Sequence, residues 1–522
     1  MLAAVAIGLA GCTTGPNTSE SRGDDSAKTI RPLLGVNGGP TPFQPSLYPK
    51  FVDTTKQFQS LGVDAVRMVD YFGANDIMCM FPVPTADPSV EANYKFEATD
   101  AVFKSIVDGN FRPMLRLGQG WKAGDAINGY NVKQPTGTLF PDKPKSYPGC
   151  EFWKEGLAAG VEAAGPQLWK RIVGRYSDAG RWGKNALEHG WVEIWNEPNI
   201  VNTTMYWDAE PEKFYEFFAN TAKALDADFP NLRFGGPASH GAGCTTPEGQ
   251  KWVDDFLKYQ AAHDVPLDFF SWHWYGANVD DLRACHSFYS NLLEQHGYGD
   301  VPQIVTEINT DAVACAGAGK TCHPHGRLPG GALLTTSWIE MQSWPELEGL
   351  FVYRGADGPF IPNSELTMPL VTGAPCPGLG CKSFGGSGFG LLRGDGTRKP
   401  EGAAYSLWSM LAGLKSIDLA EPSSFVSNVG TAPLSDAGAK LAAGLPILGV
   451  LAGRDQVGTT RLLVANPQAE TVTVDLAGLL GSGQVAAADM STVLVTSLTE
   501  NVPDLVSETE VEFGALAATE LK

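Results

Sequence analysis

The chain has 522 residues, 43% of them hydrophobic and only 18% charged, so it can bury a large core and is too poor in charge to be disordered throughout. Acidic residues outnumber basic ones 58 to 38, a formal net charge of −20. Such a surface repels phosphate backbones and excludes nucleic acid as a natural partner.

In chain order, residues 1–12 come first. The stretch up to Ala10 is small and apolar, and Leu9-Ala10-Gly11-Cys12 resembles the lipobox of bacterial lipoprotein signal peptides, in which Cys12 would carry the lipid. No Lys or Arg precedes the apolar run, a departure from that pattern, and the run is too short to span a bilayer. The polar residues 13–30 read as a flexible tether. The expected location is the bacterial cell envelope, lipid-anchored or secreted, with the lipid on Cys12 as the only membrane contact.

From 31 to 414, β-branched or apolar runs at 33–37, 65–69, 112–117, 191–195, 232–236, 267–274, 303–306 and 349–353 read as strands. Amphipathic stretches at 167–182, 211–228, 246–263, 280–296 and 331–344 lie between the later ones, with a final helix at 402–414. Eight strands alternating with helices predict an α/β fold, a closed (β/α)8 TIM barrel. Long loops at 119–164, 311–329 and 355–398 are expected around its mouth. Residues 415–522 lose the helical period. Runs at 447–451, 460–465, 470–476 and 491–496 predict a C-terminal antiparallel β-sandwich.

Nine cysteines less Cys12 leave an even number, which suits disulfides in an oxidising compartment. Spacing alone does not decide the pairing. Cys315/Cys322 and Cys376/Cys381 are candidate local staples, with Cys79/Cys150 and Cys244/Cys285 as the remaining guess. A competing reading takes Cys322, His323 and His325 as metal ligands, against which stand their crowding and the intervening Pro324.

Chemistry in such a barrel sits at the C-terminal strand ends. The fourth run closes with Trp195-Asn196-Glu197-Pro198-Asn199, where Pro198 is expected to hold Glu197 extended. The seventh closes with Val305-Thr306-Glu307-Ile308-Asn309, 110 residues later. Strands 4 and 7 face one another across a barrel, so the two carboxylates converge. Two facing carboxylates suit cleavage of a glycosidic bond, one attacking the anomeric carbon and the other protonating the leaving oxygen. Burial and the neighbouring charge are expected to raise one pKa so that it serves as the acid.

WVEIWNEPN followed by IVTEINT resembles the clan A glycoside hydrolases, most closely family 39, known for β-xylosidases, α-L-iduronidases and exopolysaccharide glycosidases. The resemblance covers roughly 33–414. It implies Glu197 as acid/base, Glu307 as nucleophile, and Asn196 as a hydrogen-bond partner of the sugar 2-OH. It also implies that Arg67 steadies the nucleophile and that His273 and Tyr275 line the floor, with Tyr275 bonded to Glu307. Where β-xylosidases of the family carry a His after the strand 2 arginine, this chain has Met68-Val69-Asp70, and strand 8 ends in Tyr353-Arg354 rather than Trp. Asp70 and Arg354 are therefore read as recognising a charged or differently shaped sugar.

Alternation puts Glu193 inside the barrel, where it needs Arg67 or Arg116 as a partner. Trp121, Trp195, Trp272 and Trp274 are candidate sugar platforms, with core packing as the competing reading for each. No cofactor and no metal are implied, because two carboxylates supply both chemical roles. The expected partner is a carbohydrate substrate, and the oligomeric state stays open. The expected function is a retaining glycosidase acting outside the cytoplasm. A transglycosylase with the same intermediate and a non-catalytic glycan-binding lipoprotein are the alternatives.

Overall fold

The computed structural model describes residues 29–41, 52–69, 75–120, 153–200, 206–276, 278–310, 328–357, 389–417 and 449–465. It also describes strands at 4–10, 426–427, 472–474, 492–499, 502–512 and 519–521. Cys12, Asp70, Trp121, Cys150 and the cysteines and histidines at 315–325 and 376–381 lie outside the described residues.

Eight parallel strands close into a barrel: β1 (Gly35–Asn37), β2 (Ala65–Arg67), β3 (Arg112–Leu117), β4 (Trp191–Ile194), β5 (Phe234–Ser239), β6 (Phe269–Tyr275), β7 (Gln303–Asn309) and β8 (Leu347–Val352). Closure is set by the pairing of Gly35 with Phe351 and Val36 with Val352. Each strand is followed by a helix: α1 (Thr55–Leu61), α2 (Glu97–Asp108), α3 (Leu157–Tyr176), α4 (Pro211–Asp228), α5 (Pro247–Ala262), α6 (Val279–Gln295), α7 (Leu328–Gln342) and α8 (Pro400–Ser409). The predicted (β/α)8 barrel is the observed fold.

Local chemistry explains where the helices start. Pro occupies the first turn of α4, α5 and α8, where its missing N–H costs nothing. Thr246 caps α5 by accepting from the Gly249 N–H at 3.1 Å, and Asn278 caps α6 by accepting from Asp280 at 2.9 Å. The expected loop 119–164 is cut short, because α3 begins at Leu157. Gly165 (φ +65°) breaks α3 just before Pro166, so the helical pattern read from 167 is only its second segment.

Two layers fill the barrel. Ala65, Met114, Trp191, Phe269, Ile304 and Phe351 form an apolar plug toward the N-terminal ends of the strands. Above it the interior is polar and charged, with Asn37, Arg67, Arg116, Glu193 and His273 all buried. The outer faces of the strands pack on the helices through a large apolar core.

The remaining strands form two antiparallel sheets, which fit a separate β domain. One runs in the order Lys415–Ser416, Gly449–Arg454, Thr460–Ala465, Ala4–Ala10, Thr492–Thr499, Val502–Glu512. The other joins Val426–Ser427, Val472–Val474 and Thr519–Leu521. Ala4–Ala10, expected to lie outside the fold as a leader, pairs on both sides, with Thr460–Ala465 and with Thr492–Thr499. Its main-chain groups are thereby paired along both edges. Among the described residues, no helix is long and apolar enough to cross a membrane. A disulfide joins Cys244 to Cys285, as the sequence guess has it. Cys79 is also disulfide-bonded.

Candidate active site

Glu307 reaches the cavity through an irregularity in the sheet. Along β6 and β7, Trp272 pairs with Val305 but His273 pairs with Glu307, so Thr306 is skipped. This bulge re-aims the strand end and sets Glu307 opposite His273. Arg67 Nη1 donates to Glu307 Oε1 at 2.7 Å, and the Tyr275 hydroxyl donates to Oε2 at 2.6 Å. Burial first, then the Glu307 charge, pushes the Tyr275 phenol well above its usual value, so it stays a donor at any working pH.

Arg67 is fully buried and organises the site floor. Its Nε donates to Glu193 Oε2 at 2.6 Å, Nη1 also to Asn37 Oδ1 at 3.0 Å, and Nη2 to Asn196 Oδ1 at 2.7 Å. Burial works against its charge, but Glu193 and Glu307 outweigh it and hold the guanidinium above its ordinary value. Glu193 thus has the arginine partner that alternation requires. Asn37 is anchored in turn by Nδ2, which donates to the Thr306 carbonyl at 2.9 Å. Because Asn196 Oδ1 faces Arg67, its Nδ2 is left for other partners, a geometry compatible with a sugar hydroxyl.

Glu197 departs from expectation in two ways. Its φ is +51°, in the left-handed region rather than extended as Pro198 favours. Its N–H is committed to the Ala238 carbonyl at 2.9 Å and its carboxylate to the His273 ring, which together hold this conformation at a cost of about 1–3 kcal/mol. Burial pushes the Glu197 carboxyl up, as expected. The hydrogen bond and charge of His273 (Nδ1 to Oε1, 2.8 Å), followed by the charges of His240 and Arg67, outweigh burial and leave it below its ordinary value. His273 Nδ1 also lies 3.6 Å from Glu307 Oε2. One oxygen of each carboxylate and a ring nitrogen of His273 lie within 4.8 Å of one another.

The platform role expected of Trp195 is not what the barrel provides. Trp195 is 0% exposed, packed edge-on against Trp169, Trp207, Phe214 and Phe217, with Nε1 donating to the Tyr206 carbonyl at 2.7 Å. Its rotation away from the cavity follows from its own positive φ (+85°), and Gly118 is bare to admit the indole: a Cβ there would stand 2.3 Å from Trp195 Cε3. Trp272 and Trp274 are buried as well. Arg354 lies just beyond β8, nearly buried, its side chain against Gly38 in the connection after β1.

Two neighbours of Glu197 went unseen in the sequence. The Tyr206 hydroxyl hydrogen-bonds the Glu197 side chain, and burial with the carboxylate charges pushes it well above the usual phenol value. His240 follows β5, close enough for its charge to act on Glu197. Neither sits in a periodic pattern. Asn37, by contrast, was open to discovery as an inward polar residue in GVN.

Residues 38–311, more than half of the chain, match the model of the family described as glycosyl hydrolases family 39. The chain is similar to a β-xylosidase of Geobacillus stearothermophilus, 26% identical over 243 residues, covering 43% of this chain and 42% of the relative. A β-xylosidase of Caldicellulosiruptor saccharolyticus is 30% identical over 187 residues, 36% of this chain and 32% of that one. Both alignments span less than half the length of these curated relatives. In fold the chain is similar to a glucosidase from Croceicoccus marinus, with a TM-score of 0.53 at 21% identity over 85% of this chain and 74% of the other. This chain belongs to family 39 of the glycosyl hydrolases.

Proposed function

We propose that the protein is a retaining glycoside hydrolase that cleaves O-glycosidic bonds of an oligo- or polysaccharide outside the cytoplasm. The observation that carries this reading is the pair of carboxylates, with oxygens within 4.8 Å of each other and held by different partners. That spacing suits direct attack, since the inverting alternative needs about 6.5–9.5 Å to admit a water.

Glu307, oriented by Arg67 and Tyr275, attacks the anomeric carbon and forms a C–O bond as the bond to the leaving oxygen breaks. Glu197 gives its proton to that oxygen. Seating a sugar expels water from around Glu197, which strengthens the effect of burial and of the nearby Glu307 charge, and both drive a proton onto it in the complex. Once Glu307 is glycosylated its charge is gone. Glu197, now a carboxylate bonded to His273 and Tyr206, takes a proton from a water whose oxygen displaces Glu307 and restores the starting state. The β-xylosidase names of the relatives make an aryl xyloside the first substrate to assay. The Cys244–Cys285 bridge supports an oxidising setting, in keeping with a location outside the cytoplasm.

Steady-state assays on a panel of aryl glycosides test the reading. E307Q is expected to lose at least ~10⁴-fold in kcat, as removal of an enzyme's nucleophile commonly does. Undiminished turnover in E307Q overturns the assignment.

A further inference from the structure

The acid/base end of the site is tied to the neighbouring strand by more than the Glu197 carboxylate. Asn199, two residues after Glu197, clamps the main chain of His240 at both ends. The His240 N–H donates to Asn199 Oδ1 at 2.8 Å, and Asn199 Nδ2 donates to the His240 carbonyl at 3.2 Å. With the Glu197 N–H on the Ala238 carbonyl at 2.9 Å, three hydrogen bonds fix His240 relative to Glu197. Ala238 itself has φ +56°, a second left-handed residue held in place at this junction. The His240 ring is also set. The Ala242 N–H donates to its Nδ1 at 3.2 Å, so in the neutral ring the proton sits on Nε2. His240 is partly exposed, unlike buried His273. The result is one fixed, oriented donor near Glu197, the residue that protonates the leaving oxygen.

We propose that His240 is a specificity residue for the leaving sugar, its Nε2–H donating to a hydroxyl of the unit seated beyond the scissile bond. This deepens the glycosidase reading and rests on it. A nucleophile-side residue would be felt with every substrate, whereas a donor placed here is felt when the leaving group carries hydroxyls.

Kinetics of H240F and H240Q on two kinds of substrate test the inference: xylobiose and cellobiose, whose leaving groups are sugars, and the 2,4-dinitrophenyl β-xyloside and β-glucoside, whose leaving group has no hydroxyl. One neutral hydrogen bond corresponds to a fall in kcat/KM on the order of 10-fold for the disaccharide, in excess of any fall on the matching dinitrophenyl glycoside. H240Q, which keeps an N–H, recovers part of it, and H240F, which keeps the ring shape, recovers none. Equal falls on both substrates, or none on the disaccharide, overturn the inference while the glycosidase reading stands. A wild-type enzyme that cleaves the dinitrophenyl glycosides but neither disaccharide has no leaving sugar to grip and overturns it too. A wild type inactive on all four overturns the inference, while the aryl glycoside panel with E307Q decides the glycosidase reading separately.

Discussion

Two layers inside one barrel obey opposite rules. Toward the N-terminal strand ends, Ala65, Met114, Trp191, Phe269, Ile304 and Phe351 meet without a polar partner in the plug beyond the Trp191 indole, whose Nε1 donates to Glu348 Oε1 at 3.0 Å. One residue pair further along the same strands, Arg67, Glu193 and Arg116 are buried at 0–1% exposure. The lower layer is stabilised by removing apolar surface from water, at roughly 25 cal/mol per Å². Net stabilisation from the upper layer is small, because burying three or more charges costs about as much as their attraction returns. What the charged layer provides is position. One guanidinium fixes the Glu307 carboxylate, the Asn196 amide and an interior carboxylate at once.

Substitutions in the two layers should therefore separate stability from activity. R67M removes the charge that faces both Glu193 and Glu307, and is expected to cost ~3–5 kcal/mol in denaturant unfolding. It should also lower kcat/KM by about 10²–10³-fold, as loss of a preorganised donor does. W191A, in the plug, should cost a similar ~3–5 kcal/mol through its cavity. Its folded fraction should keep kcat/KM within about 3-fold of wild type. If W191A at a temperature where it is folded loses activity as severely as R67M, the division between layers is wrong.

The smallest effect is on proton affinity. The alkaline limb of kcat/KM reports the acid's pKa in the free enzyme, because activity is lost as that acid gives up its proton. His273 holds the Glu197 carboxyl down, so H273A should raise its pKa and carry the limb to higher pH by about 1 unit. A limb that stays put, or moves to lower pH, would show that His273 does not set the acid.

The barrel was open to sequence reasoning because its strands are continuous apolar runs and its helices have a clear period. The exact strand ends were not, since the bulge that skips Thr306 leaves no mark in IVTEINT. Val502–Glu512 was passed over because its Glu508, Glu510 and Glu512 alternate with Val and Thr as an edge strand's would, without the apolar density that marks a strand. In the site, the carboxylates and Arg67 were legible because they stand at strand ends or at inward positions. Trp195 packs rather than stacks on the cavity for a physical reason. Period-2 alternation assumes negative φ, and at φ +85° the side chain leaves the face its number predicts. Tyr206 and His240 come from connections, where no period exists to point a side chain anywhere.

The fourfold engagement of Arg67 has an evolutionary corollary. A residue whose every bond is shared with another functional group offers no neutral first step, since any replacement breaks several contacts together. Descendants of this gene that come to accept new sugars should differ among the connections at the rim, while the interior ring passes through selection nearly unaltered.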